Sequence, residues 1–204
     1  CFARAAGLRV GTPIDNSSWC VEQCRSIGLD AQVADLSDPS CWKHIAEQGP
    51  RFLTGSPPCQ PFTCAGRQEG FSDPRAWVLL CVLVIVAITR PELTLLEEAR
   101  ELAQARFLHW IQLLAQAFGK HADALEVDAG RWSPVRRRRS LIVIGNKGRV
   151  CEVLHNLRTA AAAPHEEHDA FLYLVNQPRE AFEWAPLAVA SQAGVNGCLR
   201  GVKT

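Results

Sequence analysis

With 204 residues, 48% of them hydrophobic and 21% charged, the chain has an ordinary globular composition and room for one domain with a substantial core. Its formal net charge of +1 says nothing by itself about nucleic acid. The longest apolar run, Trp77 to Ile88, falls short of the roughly 20 residues that cross a bilayer and reads as a buried helix.

Arg9 to Ile14 reads as a strand ending at Asp15. Asn16 or Ser17 can cap a helix running to about Ile27, closed by Gly28. Ala31 to Ala34 is a short second strand ending at Asp35, and Ser40 to Gln48 a helix. Arg51 to Thr54 forms a third strand, and Trp77 to Thr89 a helix buried on one face of the sheet. Leu93 to Leu96 is a fourth strand ending at Glu97. Leu102 to Phe118 has helical spacing with Gly119 as its stop, and Leu141 to Ile144 is a strand entered from an arginine run. This alternation predicts an α/β fold: a Rossmann-like, mostly parallel sheet with helices on both faces. Asp15, Asp35, Cys59 and Glu97 then fall at the carboxyl ends of strands, the edge where open α/β sheets bind ligands. Beyond Gly145 the pattern weakens. Ala160 to Ala163 with Pro164 reads as a linker or frayed helix end, Phe171 to Val175 as a strand, and Ser191 to Thr204 carries no pattern.

Nine cysteines invite a disulfide or zinc framework, but the number is odd and no Cys-x-x-Cys pair occurs. Cys20 and Cys24 lie on one helical face without a second ligand pair. His165 and His168 read as surface, so no metal is expected. Reduced thiols in an intracellular protein are the expectation. A chain without methionine that opens Cys1-Phe2-Ala3 is expected to be a piece of something longer.

The most informative stretch is Thr54-Gly55-Ser56-Pro57-Pro58-Cys59-Gln60-Pro61-Phe62-Thr63, followed by Ala65-Gly66, Gly70-Phe71 and Asp73-Pro74-Arg75. Prolines fix φ and block regular structure, so the chain turns sharply and presents the thiol. A packed cysteine sits inside an apolar run, as Cys81 does; Cys59 is a candidate nucleophile. Basic residues cluster at Arg131, Arg136 to Arg139, Lys147 and Arg149, which suits either a solvated face or a phosphate-binding one.

The run Gly55 to Arg75 resembles the catalytic loop of the cytosine-5 DNA methyltransferases. Leu95-Leu96-Glu97-Glu98-Ala99 resembles their Glu-Asn-Val motif, and Pro134-Val135-Arg136-Arg137-Arg138-Arg139 their Gln-x-Arg-x-Arg motif before a strand. The match covers roughly Ala6 to Gly145. It implies the class I S-adenosylmethionine-dependent methyltransferase fold, with residues 1–150 as a partial catalytic core. Residues 151–204 would be the start of a target-recognition region or a poorly defined C-terminal segment. It also implies S-adenosylmethionine as cofactor, DNA as partner with transfer RNA as the alternative, and a nuclear location in a eukaryote or a cytoplasmic one otherwise.

The chemistry that goes with the resemblance is demanding. Carbon 5 of cytosine is a poor nucleophile until a thiolate adds to carbon 6. Hydrogen bonding at N3 stabilises the developing charge, and the base must leave the helix stack to reach such a site. The resemblance implies Cys59 as nucleophile, Glu97 as the carboxyl facing the base, and Arg137 with Arg139 as the arginine pair, whose planar forks suit phosphate or carbonyl oxygens. A one-residue shift within the four arginines stays open. Asp35 corresponds to the acid that contacts the adenine of the cofactor; Asp15 and Pro57 are further cofactor-side candidates.

The departures are specific. The Phe-x-Gly-x-Gly loop and the two closing motifs are not found, and the ribose-binding Glu would fall on Pro13. Glu98 stands in place of Asn, and Val135 in place of Gln. They define the alternative: a non-catalytic homologue that keeps nucleic-acid or partner binding. A thiol enzyme pairing Cys59 with a histidine is the third reading, and no histidine falls at a predicted strand end.

Overall fold

The computed structural model describes residues 9–63, 68–128 and 137–162. Residues 1–127 and 138–163 form one compact unit. Of the second, 128–137 with 164–204, only Asp128 and Arg137 are described. The expected strand Phe171 to Val175, the arginines at 131 and 136, and the histidines at 165 and 168 all lie outside the described residues.

Strand β1 (Ile14–Asp15) pairs in parallel with β2 (Gln32–Val33). Between them runs α1 (Ser18–Ser26), whose first turn is capped by Ser17 Oγ accepting from the Cys20 N–H. Gly28, in the left-handed region at φ +78°, follows it. Helix α2 (Pro39–Glu47) starts at Asp38, which accepts from the Ser40 N–H, with Pro39 supplying a preset φ. Strand β3 (Phe52–Gly55) follows, and two 3-10 turns, Gly70–Ser72 and Pro74–Ala76, lead into α3 (Trp77–Thr89). Strand β4 (Leu93–Ala99), a 3-10 turn (Arg100–Ala103), α4 (Ala105–Ala117), β5 (His121–Asp128), β6 (Arg138–Gly145) and α5 (Lys147–Ala162) complete the order.

The larger sheet runs β3-β4-β6-β5. β3 and β4 are parallel, whereas β6 runs antiparallel to β4 from Leu93↔Gly145 to Ala99↔Arg139. Helices cover both faces. On one, Leu79, Val82, Leu83 and Val86 of α3 and Phe107 and Ile111 of α4 bury Leu96, Ile142 and Ile144. On the other, Val150 and Leu154 of α5 bury Val143 against Leu93 and Leu95. Each such side chain taken fully from water contributes about 1.5–3 kcal/mol, so this sandwich is what fixes the strand edges that carry the site.

Four differences from the sequence expectations stand in the structure. β4 continues through Glu97 and Glu98 to Ala99, because β6 supplies ladder partners that far; Glu97 is therefore inside the strand, not beyond its end. β6 begins at Arg138, which draws the end of the arginine run into the sheet. β5 and most of α5 were not expected. Helix α4 also starts later than read, since Ser140 Oγ donates to the Ala99 and Arg100 carbonyls (3.0 Å each) where the preceding turn leaves β4.

Candidate active site

The loop that follows β3 is anchored by one phenylalanine. Phe62 is fully buried, its ring edge-on to Phe71 at 5.3 Å and to Phe107 at 5.1 Å. Its N–H donates to the Cys59 carbonyl (3.0 Å), and the Gly70 N–H donates to the Pro61 carbonyl (2.9 Å), closing the loop on itself. Cys59 sits on this clamped turn, half-buried and free of disulfide. Burial pushes its thiol upward, the nearby Glu98 carboxyl adds to that, and the Arg139 guanidinium opposes it.

Glu97 and Arg139 meet on one face of the sheet. Arg139 Nε lies 2.7 Å from Glu97 Oε1, and Ser56 Oγ donates to Glu97 Oε2 at 2.9 Å. The structure thus brings Cys59, Glu97 and Arg139 within electrostatic reach of one another. Arg137 precedes β6, and its backbone N–H donates to Asp128 Oδ1 (3.2 Å).

A separate cleft opens beside β1 and β2. Ile14, Val33, Asp35, Asp38, Cys41 and His44 contribute to its lining. Asp35 accepts from the Ser37 N–H at 2.8 Å, which holds its carboxyl below the usual range, so a charged acceptor stands at the cleft. His44 Nε2 is buried there and finds no hydrogen-bond partner. Asp15 is used at the start of α1, where Oδ1 accepts from the Ser17 N–H (2.8 Å). Pro57 is buried in the Cys59 loop; neither it nor Asp15 is among the cleft's lining residues.

The family model for C-5 cytosine-specific DNA methylases matches residues 27–127, a span that holds the cleft acid, the Cys59 loop and Glu97. The chain belongs to this family. The type II methyltransferase M.NaeI of Lentzea aerocolonigenes is 35% identical over 84 residues, which is 39% of this chain and 19% of that protein. M.BanI of Aneurinibacillus aneurinilyticus is 28% identical over 118 residues, or 56% and 28% of the two chains. The C-5 methylase chain therefore spans less than a third of the length of either relative. Among solved structures, the S. pombe Dnmt2 methyltransferase aligns with TM-score 0.56 at 18% identity, over 71% of this chain and 44% of its own. The Entamoeba histolytica methyltransferase EhMeth aligns at 0.55 and 19%, over 66% and 44%. At those identities the likeness establishes the fold, that of the class I methyltransferases. No helix among the described residues is long and apolar enough to cross a membrane.

The sequence reading named two residues beside this site without seeing what they do. Ser56 binds the second oxygen of Glu97, and its position between β3 and the double proline was the only available signal. Glu98 is 2% exposed, although a strand read as ending at Glu97 would have left it in solvent. Alternation along a strand carried two residues further would have placed it on the inward face with Leu96.

Proposed function

We propose that this chain carries a DNA cytosine-5 methyltransferase core, in which Cys59 adds to carbon 6 of a flipped cytosine. The single observation that supports it most is the convergence of Cys59, Glu97 and Arg139 from three separate segments. Cys59 forms the covalent bond, and its thiol must first lose a proton; Arg139 is the cation that favours the thiolate. Glu97 faces the ring nitrogen and stabilises charge that develops there, after exchanging the Ser56 and Arg139 contacts it makes now for contacts with the base. Arg137, by the family resemblance, adds a phosphate contact. In this reading the protein acts inside the cell, on DNA.

S-adenosylmethionine, when bound, supplies an electrophilic methyl group. The cleft beside β1 and β2 fits its nucleoside end. Asp35 and Asp38 offer acceptors to amino or hydroxyl groups, Ile14 and Val33 offer apolar contact, and the unpartnered His44 Nε2 awaits a polar group. Asp15 and Pro57, which stand outside that lining, complete the proposed cofactor set on the strength of the family resemblance alone.

The test is covalent trapping. The chain is incubated with S-adenosylmethionine and DNA containing 5-fluorocytosine, from which fluorine cannot be eliminated after methyl transfer. Mass spectrometry should find the adduct at Cys59 and none in Cys59→Ala. An absent adduct together with absent cofactor binding would favour the non-catalytic homologue, the reading supported by Pro13 and Glu98.

A further inference from the structure

Glu98 has no part in the chemistry above, yet among the described residues it is the most deeply buried acid. It is 2% exposed on β4, with Ser140 as its cross-strand partner on β6. Its side chain shares the face of Leu96, which is covered by Phe62 from the Cys59 loop and by α3 and α4. Oε2 accepts from the Ala99 N–H at 3.2 Å, whereas Oε1 is buried without a partner. Ser140 cannot supply one, because its hydroxyl donates to the Ala99 and Arg100 carbonyls. A second buried acceptor without a partner, Gln60 Oε1, belongs to the residue next to Cys59. A carboxylate has no proton to give to any acceptor; a neutral carboxyl does.

The charged surroundings are few. On its own strand Glu97 repels a second negative charge, Arg139 on β6 attracts one, and the Cys59 thiol stands on the loop above. Glu101, on the turn after β4, is 7% exposed and paired to Arg100 Nε at 3.3 Å. Helix α3 carries no acid or base apart from the buried thiol of Cys81, and α4 presents Phe107 and Ile111.

We propose that Glu98 is a positioning residue for Cys59: a carboxyl buried in the core beneath the Cys59 loop whose own ionisation opposes that of the thiol, so that the reactive thiolate forms most readily while Glu98 keeps its proton. Desolvation, with Glu97 adding to it and Arg139 opposing, raises Glu98 to about 8, so it is neutral at pH 7. When it ionises, its charge is the strongest electrostatic opposition to the thiolate. The two groups therefore titrate as a coupled pair in which losing one proton makes the second harder to lose. This rests on reading Cys59 as the nucleophile, but the coupling can be measured without turnover.

The experiment is the pH dependence of Cys59 alkylation by iodoacetamide, followed by peptide mass spectrometry in the wild-type chain and in Glu98→Gln. The amide keeps an acceptor for the Ala99 N–H and never ionises. The Cys59 midpoint should fall by about half a pH unit or more, a roughly threefold higher thiolate fraction between pH 8 and the midpoint, with no change near pH 7, where Glu98 is neutral in the wild-type chain. Glu98→Asp, which keeps the charge, should retain most of the wild-type shift. Cys41 and Cys81, both buried, must stay unreactive in every variant, which reports an intact fold. An unchanged Cys59 midpoint in a folded Glu98→Gln chain overturns the proposal. Should that variant unfold, infrared spectroscopy of the wild-type chain decides instead: a protonated-carboxyl band present at pH 7 and lost by pH 9 supports it, and its absence at pH 7 overturns it. A shifted midpoint combined with no 5-fluorocytosine adduct would leave the coupling in place and remove only the methyltransferase reading.

Discussion

Arg139 and Glu97 form an ion pair on the diagonal of the β4–β6 ladder: Glu97 faces Leu141, Arg139 faces Ala99, and Nε reaches Oε1 at 2.7 Å. With Ser56 on the other oxygen, the carboxylate is held from two sides at the edge of the Cys59 loop. The pair is partly exposed, at 38% for Glu97 and 25% for Arg139, so its contribution to folding is modest.

That separation of roles gives the first prediction. Glu97→Gln and Arg139→Ala should each reduce 5-fluorocytosine adduct formation by about 100-fold or more, the range expected when a group acting on the reacting base is removed. Thermal melts should show stability losses of only about 1 kcal/mol. Full trapping in either variant would remove that residue from the chemistry.

Glu98 makes stability depend on pH. Its folded value of about 8 lies above the ordinary 4.5, so between those values the folded state keeps a proton that the unfolded chain has released. Stability must then fall as pH rises through that window, by up to roughly 1.4 kcal/mol per pH unit from this one group. Urea midpoints at pH 5, 6.5 and 8 should decline in the wild-type chain and decline less steeply in Glu98→Gln. Parallel slopes would contradict the assignment of the buried proton.

Asp73 works in the opposite sense. Its Oδ1 accepts from the Arg75 N–H at 2.9 Å and both oxygens face the Arg75 guanidinium, which holds the carboxyl down to about 2. A depressed acid contributes stability that is present above its ordinary 3.8 and lost as pH falls toward 2. Asp73→Asn should lower the urea midpoint at pH 6, and the gap to wild type should narrow below pH 4. A gap that stays constant with pH would assign the loss to the turn geometry alone.

Two glycines separate backbone strain from collision. Gly70 sits at φ +59°, and a Cβ there would lie 2.7 Å from Phe107 Cε1, in the cluster that anchors the Cys59 loop. Gly119, at φ +71°, has nothing within 4 Å of such a Cβ. Gly119→Ala should cost about 1 kcal/mol, the left-handed penalty alone, and Gly70→Ala about 1–3 kcal/mol more because a buried ring must move. Calorimetry of the pair measures both. Equal losses would mean that Phe107 yields freely.

Some of this protein was determined by its sequence alone. Helix α3 has the bounds its composition implies, because Trp77 to Thr89 is apolar all round and can only be buried. The sharp turn at Cys59 follows from three prolines that exclude a helix or ladder, and α1 and α2 follow from Ser17 and Asp38 as caps. Helix α5 was not read from the sequence, although Val150, Val153, Leu154 and Leu157 recur at helical spacing.

The rest was decided by pairing between distant segments. Four consecutive arginines look alike in sequence; the register Ala99↔Arg139 is what brings one of them to Glu97. Two consecutive glutamates look alike as well. The length of β4, set by its antiparallel partner β6, turns Glu97 to the reactive edge and Glu98 into the core. Side chains alternate along a strand, so the face each one takes depends on where the ladder ends, and that is fixed by a strand some 40 residues away.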